Sequence, residues 1–220
     1  TVLSRGLGDV YKRQNKGFFE ANITDSVSLE RKNQVNVYYK VSTGPLTTIN
    51  QFELTSNDSI INQQVDKLKE RIFIKSGNAF DSDVLKLQRN SLTSYLQNNG
   101  FYTFNKEFIY YKIDSANLDR KVDITMGIQN YKKVNEDNNL FELPHKQYYL
   151  NQVNVKINKS LISQEWGCRD TTTSKSLNIL NCQPIIYQKR LLKNAITFKN
   201  GELYQKSDAI ETYKRLISLG

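Results

Sequence analysis

Several residues in this chain are of types that could do chemistry. His145 is the single histidine, a candidate general base or metal ligand. Cys168 and Cys182 are the two cysteines, able in principle to bind zinc or to bridge. Asp114, Asp119 and Asp123 bring three carboxylates close in sequence, and Gly6-Leu7-Gly8 has the start of a dinucleotide loop. None of these completes a site. His145 follows Pro144 in a polar connector and reads as an exposed loop residue. The fourteen-residue cysteine spacing fits no zinc motif, and no histidine stands nearby. The aspartates flank a hairpin turn, where turn propensity and solvation account for them. Tyr11 stands where the third glycine of a dinucleotide loop belongs, with no strand before it. There is no Gly-x-Ser-x-Gly and no phosphate loop. The residues point to no catalytic group, no cofactor and no metal, so the chain reads as something other than an enzyme.

What the chain does carry is a repeat. Ile49 to Gln64 reads INQFELTSNDSIINQQ, and 101 residues later Leu150 to Glu165 reads LNQVNVKINKSLISQE, with six of sixteen positions identical. Leu68 to Gly77 (LKERIFIKSG) returns 124 residues later as LKNAITFKNG, Leu192 to Gly201. A partial third copy lies at the start: Gly17-Phe18-Phe19 matches Gly100-Phe101-Tyr102, and the alternating stretch Val35–Val41 matches Val122–Ile128. Repeats of this size mean modules stacked along the chain. The boundaries follow: residues 15–44 are the end of one module, 45–130 a complete one, and 131–146 a linker. Residues 147–220 are a third module that stops before its last two strands. The two offsets differ by 23 residues, which places a 23-residue insertion at about 159–183 of the third copy. Both ends read as truncated.

Residues 1–14 stand apart. Ser4 to Gln14, SRGLGDVYKRQ, resembles the in-frame translation of a transposon-type sequencing adapter and is set aside as an artefact. The whole chain has 31 Lys and Arg against 22 Asp and Glu, a net charge of +9. Without the first fourteen residues the counts become 28 and 21, a net of +7. These charges are interspersed rather than gathered in a stripe, so nucleic acid is not the indicated partner. No apolar run approaches the roughly 20 residues needed for a membrane-spanning helix.

The complete module reads as β-α-α-β-β. Phe52 and Leu54 alternate with Gln51 and Glu53 in a half-buried strand. Ile61, Val65, Leu68 and Ile72 form one apolar stripe on a first helix, ended at Gly77-Asn78. Asp81 or Ser82 caps a second helix that buries Leu85, Leu92, Tyr95 and Leu96 and stops at Gly100. Glu107–Ile113 is the next strand, and Val122, Ile124, Met126 and Ile128 face one way on the last. The fold class is therefore α+β, with both helices on one face of a small mixed sheet.

This order resembles a POTRA domain. So do Gly77-Asn78-Ala79-Phe80-Asp81 before the second helix and Asn99-Gly100-Phe101-Tyr102 after it, with Gly201-Glu202-Leu203-Tyr204 in the third copy. Tandem modules of this kind resemble the arms of the BamA/TamA superfamily, and the Asn- and Lys-rich style is similar to TamA-like proteins of Bacteroidota. The resemblance implies tandem POTRA modules, each a three-stranded mixed sheet with two helices on one face. It implies a place at the periplasmic face of the outer membrane, ahead of a C-terminal β-barrel. The implied partners are unfolded outer-membrane proteins and accessory periplasmic or lipoprotein subunits. Arms of protein-secretion translocators are the nearer alternative, and a basic polyanion- or nucleic-acid-binding repeat protein the more distant one.

Three further expectations follow, the first and third resting on that resemblance and the second on segment length and polarity. The strand Phe108-Ile109-Tyr110-Tyr111-Lys112-Ile113, apolar on both faces, corresponds to an edge strand open to partner strands. The segment Tyr131–Lys146 is the mobile joint, and Thr43-Gly44-Pro45 the stiff one. A periplasmic setting permits disulfides, so Cys168 and Cys182 are a candidate bridge closing the insertion near Trp166.

Overall fold

The computed structural model describes residues 8, 10–30, 34–115, 119–157, 170–174, 177–181 and 188–219. It divides into two compact α+β units, Thr1–Leu92 with Lys106–Pro144, and Thr93–Asn105 with His145–Gly220. Residues 15–44 thus belong with the first unit and 93–105 with the second, a division that cuts through the module read from the repeat. Cys168 and Cys182 lie outside the described residues.

The first unit opens with a hairpin of β1 (Asn22–Glu30) and β2 (Gln34–Ser42). Strand β2 contains the alternating stretch read from the sequence. Strand β1 was not legible there, because only Ile23, Val27 and Leu29 mark its apolar face among small polar residues. The main sheet has the order β3-β5-β4, with β3 (Thr48–Ser56), β4 (Ile109–Asp114) and β5 (Lys121–Ile128). Strand β5 runs parallel to β3 and antiparallel to β4, so the sheet is mixed as expected. Val122, Ile124, Met126 and Ile128 are all buried. Val122 and Ile124 pack with Ile49, Ile74, Phe80 and Leu85.

The parallel β3–β5 pairing requires a crossover, which the helices supply. The first helix is not continuous: α1 (Ser59–Asn62) and α2 (Val65–Lys69) are separate pieces. Asp58 caps α1 by accepting from the amides of Ile60 and Ile61, whereas Gln64 gives α2 no side-chain cap. Pieces this short do not persist alone, and each is held by one fully buried residue, Ile61 or Leu68. Helix α3 (Ser82–Gln97) is capped by Asp81, whose Oδ1 accepts from the Asp83 amide at 2.8 Å. Leu85, Leu92 and Leu96 are buried as expected; Tyr95 is only half-buried.

Gln88, also on α3, is fully buried. Its Oε1 accepts from the Phe73 amide at 2.9 Å, and its Nε2 donates to the Arg71 carbonyl at 3.2 Å. The side chain therefore supplies partners to backbone that has left α2 and not yet reached Gly77. The second unit has the same tie in other chemistry. Thr212, 124 residues after Gln88, accepts from the amide of Thr197, 124 residues after Phe73, at 3.1 Å.

Three other expectations are corrected. Lys106–Phe108 form a 3-10 turn, so Phe108 precedes β4 instead of lying in it, its carbonyl taken by the Gln129 amide at 2.8 Å. The segment read as a mobile linker holds a second hairpin, β6 (Tyr131–Val134) with β7 (Leu140–Leu143). Asn135 builds its turn, accepting from the amides of Asp137 and Asn139 at 3.1 and 2.8 Å, with Asn138 at φ 61°. His145, read as exposed, is buried in the second unit with its ring centroid 5.0 Å from that of Phe104.

The second unit contains β8 (Val153–Ile157), β9 (Asp170–Ser174), β10 (Leu177–Asn181), α4 (Lys189–Ala195) and α5 (Lys206–Ile217). The order is β8-β10-β9, parallel then antiparallel. The stretch read as an insertion thus provides two strands, and Leu177 and Ile179 are buried with Leu192. The registers correspond: Phe52↔Ile124 and Leu54↔Met126 in the first unit become Val153↔Leu177 and Val155↔Ile179 in the second. The same three-stranded arrangement is reached with the hairpin before the helices instead of after them.

Replacing Gln88 with Ala removes both bonds from the 71–73 backbone. Both bonds are part-buried and a net hydrogen bond contributes about 0.5–1.5 kcal/mol, so the first unit should lose about 1–3 kcal/mol in urea unfolding. A loss below about 0.5 kcal/mol would contradict the role assigned to Gln88.

Candidate functional site: the module joint and the edge strand

The repeat in the sequence becomes, in space, a repeated joint. In the first unit the Thr47 amide donates to the Gly17 carbonyl at 2.9 Å, and the Phe80 amide donates to the Thr47 carbonyl at 2.9 Å. Ile49 then exchanges bonds with the following loop, donating to the Asn78 carbonyl at 2.8 Å and accepting from the Gly77 amide at 2.8 Å. In the second unit Tyr148 donates to Gly100 at 2.8 Å, Tyr204 to Tyr148 at 2.9 Å, Leu150 to Glu202 at 2.9 Å and Gly201 to Leu150 at 2.7 Å. Isolated bridges pair Thr48 with Ala79 and Tyr149 with Leu203. Each residue of the second set stands 83, 101 or 124 positions after its counterpart. Three segments are clasped each time: the turn after a helix, the start of the next first strand, and the loop before the next long helix.

Glycine is required where the turn meets the strand. Gly17 and Gly100 have φ of 88° and 90°, a conformation that L side chains rarely adopt. A Cβ on Gly17 would lie 2.8 Å from the Phe80 carbonyl oxygen, and one on Gly100 2.7 Å from Leu203 Cδ2. Aromatic pairs close both joints: Phe19 on Phe80 at 5.1 Å and Tyr102 on Tyr204 at 4.9 Å between centroids. Tyr148 adds an edge contact to Tyr102 at 6.0 Å. Burial, and then the neighbouring Tyr102, pushes the Tyr204 phenol up.

The joints differ in charge. Lys16 reaches Asp81 at 2.8 Å and Asp83 at 3.1 Å, and Lys86 reaches Asp83 at 3.0 Å. These hydrogen bonds to Asp81 and Asp83 raise Lys16, while those from Lys86 and Lys16 lower Asp83. At the second joint the links are neutral on one side: Lys206 donates to Gln97 Oε1 at 2.9 Å and the Ser207 amide to Asn98 Oδ1 at 2.8 Å. Beside the first joint a cleft of about 570 Å³ is lined by Phe19, Ile113 and Thr47 together with Glu20, Arg120 and Lys121.

The other feature is the edge of the first unit's sheet, on which no other described strand pairs with the outer side of β4. Strand β4 lies at one end of the order β3-β5-β4. Ile109 is buried and Tyr111 half-buried, while Tyr110, Lys112 and Ile113 are exposed. Tyr111 is anchored: its hydroxyl donates to the Leu85 carbonyl at 2.9 Å and its ring carries the Arg89 guanidinium 5.3 Å from its centroid. Burial pushes this phenol up, against the opposing pull of Arg89. On the other face the Tyr110 ring lies against Gly127, whose missing side chain leaves room for it. The structure therefore gathers Ile109 to Ile113 on one edge strand, with Phe108 leading into it and packed on Tyr131 at 6.2 Å.

Two of the three aspartates meet across β4 and β5, and the third stands in the turn between those strands. Asp114 and Asp123 are register partners, Asp123 accepts from Asn50 Nδ2 at 2.8 Å, and Asp119 lies 3.8 Å from Arg120. Among the described residues no three His, Cys, Asp or Glu side chains form a metal-holding group. From sequence Gly17, Phe19, Gly77–Phe80, Gly100, Tyr102 and Gly201–Tyr204 mark the repeat and the resemblance, but nothing there assigns them to a joint.

Two outcomes test the joints. Gly100→Ala imposes a left-handed penalty of about 1–2 kcal/mol before any clash. Amide exchange at Tyr148, Leu150 and Tyr204 should accelerate by tenfold or more, with β3–β5 amides unchanged; equal protection in both proteins would refute the clasp. Asp83 is lowered, so its contribution is present above the ordinary carboxylate range and lost as pH falls through its lowered value. Lys16 is raised, and its contribution is lost only as pH rises through that raised value. An NMR titration should show Asp83 titrating below a free aspartate with the Thr47 and Phe80 amides following it, while Tyr148 and Tyr204 do not move.

No family model matches the chain, and no curated protein matches it. Among solved structures it is similar to POTRA domains 3–5 of BamA from Haemophilus influenzae, with 14% identity and a TM-score of 0.48, over 96% of this chain and 66% of that one. It is similar to POTRA 1–3 of the periplasmic domain of Omp85 from Anabaena, with 16% identity and a TM-score of 0.34, over 99% of this chain and 71% of that one. A third similarity is to the N-terminal domain of Omp85 from the thermophilic cyanobacterium Thermosynechococcus elongatus, with 11% identity and a TM-score of 0.32, over 99% and 72%. The chain spans just under two thirds of the Haemophilus fragment it matches.

Proposed function

We propose that this chain is a tandem POTRA arm working at the periplasmic face of an outer membrane. It receives extended segments of unfolded outer-membrane proteins on β4 and positions accessory subunits along its modules, in the manner of a TamA-like assembly factor. The observation that carries the reading is the β4 edge: a short strand with its inward side anchored by Ile109 and Tyr111 and its outward side open at Tyr110 and Lys112. Such an edge presents unpaired amides and carbonyls that an added strand can satisfy. The shared three-stranded arrangement and the repeated clasp support a modular arm. No helix among the described residues is long and apolar enough to cross a membrane. Phe108 contributes by seating the entry to β4 on Tyr131.

The reading is tested with photoreactive residues at Tyr110 and Lys112, and a control at exposed Leu87 on α3. Peptides from outer-membrane barrel strands should cross-link at the two β4 positions and not at Leu87. Strand addition should persist when salt is raised, whereas binding to a polyanion falls steeply with salt. Cross-links confined to sites away from β4 would remove the edge from the proposal. Salt-labile binding of a polyanion without peptide binding would replace the proposal altogether.

A further inference from the structure

Strand β4 divides its backbone groups between two sides. The Gln129 amide donates to the Phe108 carbonyl at 2.8 Å, so these two residues continue the β4–β5 register as a hydrogen-bonded pair. Such pairs alternate along an antiparallel ladder, which makes Tyr110↔Gly127 and Lys112↔Thr125 the next two. The amides and carbonyls of Tyr111 and Ile113 therefore point away from β5, to the side where no described strand pairs with them. Side chains divide differently. Tyr111 and Ile113 share the core face with Met126 and Ile124, while Tyr110 and Lys112 share the opposite face with Gly127 and Thr125.

Lys112 carries the charge at the middle of this edge. It is exposed, and among the described residues it makes no ion pair. Asp123 lies diagonally across on β5, but it stands opposite Asp114 and accepts from Asn50 Nδ2 at 2.8 Å. The Tyr110 ring lies over Gly127, so its bulk covers β5 and not the edge.

A strand added antiparallel to β4 would bond to Tyr111 and Ile113. The residue between its two bonding positions then stands directly opposite Lys112. That is a non-hydrogen-bonded pair, where side chains approach most closely. A second copy of β4 centred there would set Lys112 against Lys112, which like-charge repulsion disfavours. A carboxylate in the same place completes an ion pair.

We propose that Lys112 selects the strand that β4 receives, favouring an extended peptide with Asp or Glu directly opposite it and fixing the register through that pair. This rests on the reading of β4 as a receiving edge and names the chemistry of what is received.

The test uses the isotope-labelled 220-residue chain and two short peptides of alternating Val and Thr, identical except for a central Glu or Lys in place of one Thr. Exchange at the Tyr111 and Ile113 amides should slow when the Glu peptide binds. The Tyr110 and Lys112 amides, already paired with β5, should change little. The Glu peptide should bind about fivefold more tightly than the Lys peptide, and the ratio should shrink as salt screens the pair. Lys112→Glu should reverse the order and Lys112→Thr should remove it, with unchanged exchange at β3–β5 amides confirming that each variant folds. Slowed exchange at Tyr111 and Ile113 with equal affinity for the two peptides overturns selection by Lys112 and leaves strand addition standing. A preference for Glu that survives in Lys112→Thr overturns it as well. No slowing with either peptide removes strand addition itself, and this inference with it.

Discussion

The carbonyl of a glycine held at φ near 90° accepts an amide ahead of a sheet strand, Thr47 before β3 or Tyr148 before β8, and the rest of each joint is arranged around that bond. Once Gly17 or Gly100 is fixed, the strand start at 47–49 or 148–150 is placed. Its own carbonyls and amides then capture the loop at 77–80 or 201–204. That loop leads directly into α3 or α5, so strand and helix of one module are both set by a turn belonging to the preceding one. Backbone groups do most of this, and buried backbone groups must be paired. The joint can therefore be repeated while side chains around it change from Phe19 and Phe80 to Tyr102 and Tyr204. It also explains why the compact units do not follow the repeat. Residues 93–105 end a helix of one module but hold the first strand of the next.

The sequence was legible where side-chain pattern and backbone role coincide. Val122, Ile124, Met126 and Ile128 alternate cleanly because one face of β5 is buried in the core while Lys121, Asp123 and Thr125 on the other are less buried, and the strand was read correctly. Repeats at two offsets carry the module reading, and those same offsets relate the hydrogen bonds of the two joints. Where polar residues do internal work the pattern misleads. Gln88 looks like a surface residue on a helix yet is buried to serve backbone. Asn135 builds a hairpin turn inside what reads as a linker. His145 sits against Phe104 although its neighbours are polar. A stripe of Ile61, Leu68 and Ile72 predicts one helix, but periodicity does not register a cap such as Asp58 starting a separate short piece. The edge position of β4 was legible only through a resemblance, since pairing order is not written in any one strand.

The second unit shows how a sheet can be filled by a different order of the same parts. In the first unit the strand pair follows the helices; in the second, β9 and β10 precede them and β10 takes β8 as its parallel partner in the register that β5 takes with β3. The buried side chains correspond, Ile124 with Leu177 and Met126 with Ile179. Only a length difference between two repeat offsets hinted at this, and length alone reads as an insertion. What decided the outcome is that helices with an apolar face need a sheet beneath them, and Leu177 and Ile179 supply one.

The account depends most on the two glycine-centred clasps being real and equal. Trans-hydrogen-bond NMR couplings measure that directly, because the signal passes from an amide nitrogen to the carbonyl carbon that accepts it. The account predicts couplings from Thr47 to Gly17 and from Tyr148 to Gly100, comparable with those between paired strands of the β3-β5-β4 sheet. Couplings within that sheet, with none at either glycine, would contradict it.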